Sequence, residues 1–176
     1  SFPTRRSSDL DLKIRHEYTD NQFFSPSIPQ ADLLTSVDAG VEKEYRTESS
    51  RARLGGRIEG LIYADNSDLN AVDQSCQVFF SHRLSPQFDL SAESAYIRDH
   101  RPDRDLETNG LIYSTSERNR FKAGCSGGYL LSETMKWEFQ YGFMKDQYED
   151  PEFTDTQSHS LNTGVIRDLS RHILNL

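Results

Sequence analysis

The chain has 176 residues, enough for one domain with a real core, and its net charge of −8 argues against a nucleic-acid-binding protein. Hydrophobic residues make up 35% of it, and no apolar run approaches the ~20 residues that a membrane-spanning helix requires. That composition still admits a membrane β-barrel, because the apolar residues of a barrel occupy only every second position of each strand.

The first ten residues, SFPTRRSSDL, lack the apolar period of a strand or a helix. Written back into codons they read TCT-TTC-CCT-ACA-CGA-CGC-TCT-TCC-GAT-CTN, which resembles a widely used short-read sequencing adapter translated in frame. The last codon encodes leucine whatever its third base, which accounts for Leu10 at the junction. We therefore expect residues 1–10 to be an adapter-derived artefact that makes few sheet contacts, and residues 11–176 to be the protein-derived part.

Alternation of apolar and polar residues with a period of two dominates the rest of the chain. It is clearest in MKWEFQYGF at 135–143, where five apolar residues fall on one side and four polar or small residues on the other. The many aromatic residues also favour a strand. The same alternation predicts about eight strands, which in chain order include 12–18, 37–45, 52–62, 76–84, 88–96, 121–131, 135–143 and 161–165.

The connections between these strands alternate in length along the chain. Long polar connections are predicted at 19–32, 64–71, 99–119 and 149–157, and short ones at 46–50, 85–87, 132–134 and 170–172. In an antiparallel up-and-down meander, successive connections lie at opposite ends of the sheet. The pattern therefore predicts an all-β fold with tight turns at one end and long acidic loops at the other, as in outer-membrane barrels.

The two faces of each predicted strand differ in chemistry. Bulky aromatic residues suit a lipid-facing band, whereas a face mixing charged, serine and glycine residues suits a wet, ion-paired lumen. The predicted lipid-facing residues are Phe80, Phe121, Trp137, Phe139, Tyr141 and Phe143. The predicted lumen-facing residues are Arg53, Arg57, Glu59, Glu93, Lys122 and Glu138. A soluble β-sandwich has the same alternation, so both architectures remain open on this pattern.

Residue types that carry chemistry show no catalytic or metal-binding spacing. The five histidines are scattered, so we expect no catalytic residues, no cofactor and no metal, although a barrel lipase with a Ser–His site remains the weaker alternative. The acidic loops 99–107 and 148–155 lack the register of a calcium loop and suggest solvated surface loops. Cys76 and Cys125 are expected about 9–10 Å apart with one strand between them, too far for a disulfide.

Three segments resemble one family of bacterial outer-membrane β-barrels: EYTDNQFFSP at 17–26, DRDLETNG at 103–110 and YEDPEFTDTQSHS at 148–160. The family comprises β-barrel porins of the second type, including those associated with exosortase/PEP-CTERM systems and exopolysaccharide gene clusters. The resemblance implies an outer-membrane location and a part in the export of surface polysaccharide or protein. Family members are longer, so it also implies that 11–176 is a truncated N-terminal portion of the barrel.

These observations predict a porin-like outer-membrane barrel fragment from environmental sequence, and not an enzyme. Its expected partners are the lipid bilayer, the barrel assembly machinery and polysaccharide, with no nucleic acid. The alternative is a soluble, secreted antiparallel β-sandwich that binds carbohydrate through its loops. We further expect a curved sheet that is open or imperfectly closed, a ninth strand beginning after 170–172, and no stable bilayer insertion of the isolated chain.

Overall fold

The computed structural model describes residues 5–20, 31–100, 117–151 and 153–167. They form one antiparallel sheet of eight strands in sequence order, and a single turn of 3₁₀ helix at Ser67–Leu69. The strands are β1 (Arg5–Thr19), β2 (Asp32–Arg46), β3 (Ser50–Tyr63), β4 (Ala71–Ser85), β5 (Phe88–Asp99), β6 (Arg118–Ser132), β7 (Met135–Tyr148) and β8 (Thr156–Arg167). The prediction of an all-β, up-and-down antiparallel meander of eight strands is confirmed.

Each strand pairs with the strand that follows it in sequence, and the connections keep the predicted alternation of length. Two residues join β4 to β5 and two join β6 to β7, whereas β1–β2 and β5–β6 have the longest links. No ladder joins β8 to β1 within the described ranges, so these strands are the two edges of an open sheet. The predicted turn at 170–172 and the ninth strand lie outside the described residues.

The expectation that residues 1–10 make few sheet contacts is wrong for residues 5–10. They form the first half of β1 and pair with β2 from Arg5 opposite Arg46 to Leu10 opposite Val41. The physical reason is that a ladder uses backbone groups, which every residue except proline supplies. β2 continues to Arg46, so its free N–H and C=O groups accept the polar segment whatever its side chains.

A small hydrophobic core lies on the face that is otherwise polar. Leu34, Leu61 and Tyr63 are buried there, and Leu69 and Ala71 pack against them beneath the link between β3 and β4. Among the described residues, no helix is long and apolar enough to cross a membrane. Most of the other large apolar side chains project from the opposite face of the sheet, where they are exposed.

Candidate functional site: the two faces of the sheet

Strand register assigns the six aromatic residues predicted to meet lipid to one common face, here called the apolar face. Phe80 pairs with Ala92, Ala92 with Cys125, and Cys125 with Tyr141, so one row crosses four strands. The others lie an even number of residues from this row on β6 or β7: Phe121, Trp137, Phe139 and Phe143. Contact with lipid stays a prediction, but the shared face is a property of the sheet.

The six residues predicted to face a lumen all lie on the opposite face, here called the polar face. Arg53 pairs with Phe79, Phe79 with Glu93, and Glu93 with Gly124, which defines a second row. The other four predicted residues lie an even number of positions from this row on their own strands, and therefore on the same face: Arg57, Glu59, Lys122 and Glu138. The structure therefore separates the two predicted sets completely, one to each face.

Aromatic pairs mark both ends of the apolar face. Near the short turns Phe88 pairs with Tyr129, with ring centroids 6.3 Å apart, and near the long loops Tyr96 pairs with Phe121. Phe88 and Tyr96 lie eight residues apart on β5, about 26 Å along the strand at ~3.3 Å per residue. With the 35–45° tilt of barrel strands this becomes about 20 Å, close to the ~25 Å apolar band between aromatic girdles.

Between these pairs the apolar face is mainly aliphatic on β1 to β6, apart from Phe80, and aromatic on β7, and much of it is open to solvent in this sheet. Ile58 is 56% exposed and Leu161 is 72% exposed, values far above those of a covered core. Phe139 and Phe143 are half-buried, because neighbouring rings lie against them. The ring centroids of Trp137 and Phe139 are 5.5 Å apart, and those of His159 and Phe143 are 5.0 Å apart. A continuous exposed apolar patch of this extent marks a surface for contact with a membrane or with another protein.

Gly127 provides the space that Phe139 occupies. These residues are cross-strand partners, and a Cβ at Gly127 would come within 2.6 Å of the Phe139 ring and 3.0 Å of the Asp89 carbonyl oxygen. We expect Gly127→Ala to lower the free energy of unfolding by about 1–3 kcal/mol through overpacking, measured by urea unfolding in detergent. Gly164→Ala is the control, since nothing lies within 4 Å of that Cβ; equal losses would contradict the packing argument.

Ion pairs connect β1, β2 and β3 on the polar face. Arg57 donates to Asp38 at 2.7 Å and reaches Asp11 on β1 at 3.3 Å, across the strand between them. Arg51 donates to Glu44 at 2.8 Å. All these groups are at least partly exposed, so each pair contributes only about 0–1 kcal/mol. Their main consequence is that charges of both signs stand side by side across β1, β2 and β3.

At the long-loop end two ion pairs are buried. Arg118 donates two hydrogen bonds to Asp99, at 3.0 and 2.6 Å, and the Arg118 side chain is 4% exposed. Arg120 makes the same two-point contact with Asp146, both at 2.7 Å. These pairs join β5 to β6 and β6 to β7 where the strands meet their longest loops. Bidentate arginine–carboxylate geometry fixes the register there.

Two further clusters hold the long-loop end of the sheet. The buried Asp32 carboxylate accepts hydrogen bonds from backbone N–H groups at 33, 64 and 65 and from the Asn66 amide, so it caps the β3–β4 link. His100 contacts Asp73 at 2.9 Å and Glu117 at 3.5 Å. The Arg98 guanidinium, bonded to Glu117, holds the pKa of that carboxyl below its ordinary value although burial acts against it.

Histidine–hydroxyl pairs recur on the apolar face. The Ser50 hydroxyl lies 2.7 Å from His82 Nδ1, and the same kind of cross-strand contact joins His16 to Thr35 and His159 to Tyr141. Because three such pairs stand on different strands, the Ser50–His82 contact is best explained as a cross-strand hydrogen bond. The described part of the chain holds no group of three or more His, Cys, Asp or Glu arranged to bind a metal.

Both cysteines are free thiols on the apolar face, and Cys76 is exposed. The acidic loop at 148–155 is described except for residue 152, and its Tyr148 N–H donates to Asp155 at 3.1 Å. Most of the other acidic loop, 99–107, lies outside the described residues.

Sequence reasoning missed the buried groups of the polar face. Leu34, Leu61 and Tyr63 lie in the phase of their strands that is otherwise mainly polar, and the Arg118–Asp99 and Arg120–Asp146 pairs fall near strand ends. A signal was present for the pairs, because Asp99 ends β5, Asp146 lies two residues before the end of β7, and β6 begins Arg-Asn-Arg. Antiparallel pairing brings these strand ends together.

Comparison with known proteins gave no match: no family model fits the chain, and neither the curated proteins nor the solved structures include a significant relative.

Proposed function

We propose that this chain forms part of the wall of a bacterial outer-membrane β-barrel, with the apolar face against lipid and the polar face towards the lumen. The proposal includes a passive, non-enzymatic role as a porin-like channel or a barrel associated with export of surface polysaccharide or protein. Its partners would be the lipid bilayer and the barrel assembly machinery. The observation that carries it is the separation of apolar and polar side chains onto opposite faces of one long meander.

The lengths of the strands support the same proposal. Each has 12 to 15 residues, above the ~9–11 that a tilted membrane strand needs. The residues beyond that length fit the girdles and loop bases, where the buried ion pairs lie. The location of the short turns at one end and the long loops at the other agrees with the usual asymmetry of outer-membrane barrels.

The rival β-sandwich requires a second sheet over the apolar face. The described residues form a single sheet, and Leu12, Leu54 and Val78 on that face are each about half exposed or more. A sandwich core would bury these side chains between two inner faces about 10 Å apart. The arrangement therefore favours a lipid environment over a soluble carbohydrate-binding domain.

The test uses two adjacent positions of β4 that lie on opposite faces. Cys76 belongs to the apolar face and Gln77 to the polar face, and both are exposed. One variant carries Cys125→Ser, which leaves Cys76 as its single thiol. The other carries Gln77→Cys, Cys76→Ser and Cys125→Ser. Both are refolded in detergent micelles and treated with a water-soluble maleimide and with a lipophilic maleimide.

We expect the thiol at position 76 to react with the lipophilic reagent and to be protected from the water-soluble one, with the reverse at position 77. Unfolding in urea should abolish the difference, which controls for intrinsic reactivity. A chain that folds in buffer without detergent and protects position 76 from both reagents would instead support the sandwich. Equal reactivity at 76 and 77 in folded micelles would also refute the proposed barrel wall.

A further inference from the structure

The polar face contains a groove that the proposed function leaves unassigned. It runs from β3 to β8, and a cavity of about 680 Å³ lies in it. Arg51, Arg53, Phe79, Glu93, Lys122 and Met144 are among its lining residues. The cavity is large enough for a small organic molecule, since typical ligand pockets measure about 300–1,000 Å³.

Glycines keep the floor of this groove free of side chains. Gly124 on β6 pairs directly with Gly142 on β7. A Cβ at Gly142 would lie 2.7 Å from the Ser160 hydroxyl, and one at Gly124 would lie 3.3 Å from the Tyr141 carbonyl oxygen. Larger residues at either position would therefore fill the space between Phe79 and Ser160.

The charges that line the groove are mainly positive, in a chain whose net charge is −8. Arg51, Arg53 and Lys122 contribute cations, and Glu93 is the one carboxylate among the lining residues of the described chain. Lys122 forms no ion pair or hydrogen bond with the described residues, and its side chain is exposed. It is the lining cation that an incoming ligand can pair with at no cost to an existing contact.

The two arginines already interact with glutamates of β2, so their charge is partly compensated and Lys122 is the cation best placed to pair with a ligand. Arg51 binds Glu44 through Nη2, but its Nε is buried and has no hydrogen-bond partner. The Arg53 Nε is likewise buried without a hydrogen bond, 3.6 Å from Glu42, while its guanidinium lies 6.0 Å from the centre of the Phe79 ring. The exposed ammonium of Lys122 shares the lining with Phe79 and Met144, which suits a ligand with both an acidic group and an apolar body.

We propose that this groove binds small organic anions, with Lys122 pairing with the acidic group and Phe79 and Met144 contacting the apolar body. Glu93, which lies against Gly124 between Lys122 and Phe79, opposes the bound charge. The inference deepens the proposed function, because it assigns a ligand class to the lumen-facing wall. Its geometry concerns the polar face alone and does not require that the barrel be closed.

The test measures binding of pyranine, a water-soluble trisulfonated pyrene, by fluorescence anisotropy at low salt in an uncharged detergent. Lys122→Gln should weaken binding about fivefold, the size expected for losing one solvent-exposed charge pair. Glu93→Gln should strengthen binding by a similar factor. Lys136→Gln is the matched control, because Lys136 is already paired with Glu138 at 2.9 Å and lines a different groove; its affinity should stay unchanged.

Equal weakening by Lys122→Gln and Lys136→Gln would overturn the proposal, since it would indicate general attraction to positive charge. Weaker binding after Glu93→Gln would also overturn it, by showing that a positively charged or zwitterionic group is recognised. The maleimide experiment reports separately on the faces. Face-specific labelling without pyranine binding rejects only the anion site, whereas pyranine binding without face-specific labelling rejects only the barrel wall.

Discussion

Phe139→Arg should lower the free energy of unfolding of the chain in detergent micelles by about 2–4 kcal/mol, the cost of a cation near the middle of a strand that faces lipid as we propose. Phe139 lies on the apolar face of β7, two residues from Tyr141 in the row midway between the two aromatic pairs, and its ring covers Gly127 on the neighbouring strand. In the proposed barrel wall the substitution places a guanidinium in hydrocarbon, and it also uncovers that glycine. Urea unfolding followed by the fluorescence of Trp137, the single tryptophan, measures the loss.

Gln140→Arg is the matched control for this prediction. Gln140 is the next residue of β7, lies on the polar face and is exposed. An added charge there should change stability by no more than about 0.5 kcal/mol, as for ordinary surface substitutions. Equal losses at 139 and 140, or a small loss at both, would mean that the apolar face does not meet lipid.

Arg118→Met should destabilise the fold by about 3–5 kcal/mol, because it leaves the Asp99 carboxylate without its partner at a buried site. The Arg118 side chain is 4% exposed and holds Asp99 through two hydrogen bonds at the point where β5 and β6 meet the longest loop. The same urea titration reports the effect. We also expect weaker protection of the first backbone amides of β6 in hydrogen exchange.

Two further variants separate the lost partner from the lost side chain. Arg118→Met combined with Asp99→Leu should recover much of the stability, since replacing a whole buried pair by apolar residues is often nearly neutral. Arg98→Met removes a neighbouring arginine that is 41% exposed and paired with Glu117, and should cost only about 0–1 kcal/mol. A double variant as unstable as Arg118→Met would show that the arginine acts through other contacts.

Local sequence contains most of the information on secondary structure in this protein. The alternation in MKWEFQYGF predicts β7, and all five of its apolar residues belong to one strand in the structure. The same reasoning found all eight strands and the alternation of loop lengths, because a strand repeats every two residues whatever it packs against. It also assigned Arg53, Lys122 and the other charged candidates to one face, because successive side chains of a strand point to opposite sides of the sheet.

Which residues meet across strands depends, in contrast, on register. Alternation does not determine register, because sliding a strand by any even number of residues leaves every side chain on the same face. The tertiary structure alone shows that Arg118 meets Asp99, that Phe139 covers Gly127, and that Gly124 and Gly142 coincide to form the floor of the groove. The pairing of residues 5–10 belongs here too, because a backbone ladder accepts a segment whose side chains predict nothing. Period two therefore determined which face each side chain occupies, and the register of the paired strands decided which neighbours it meets there.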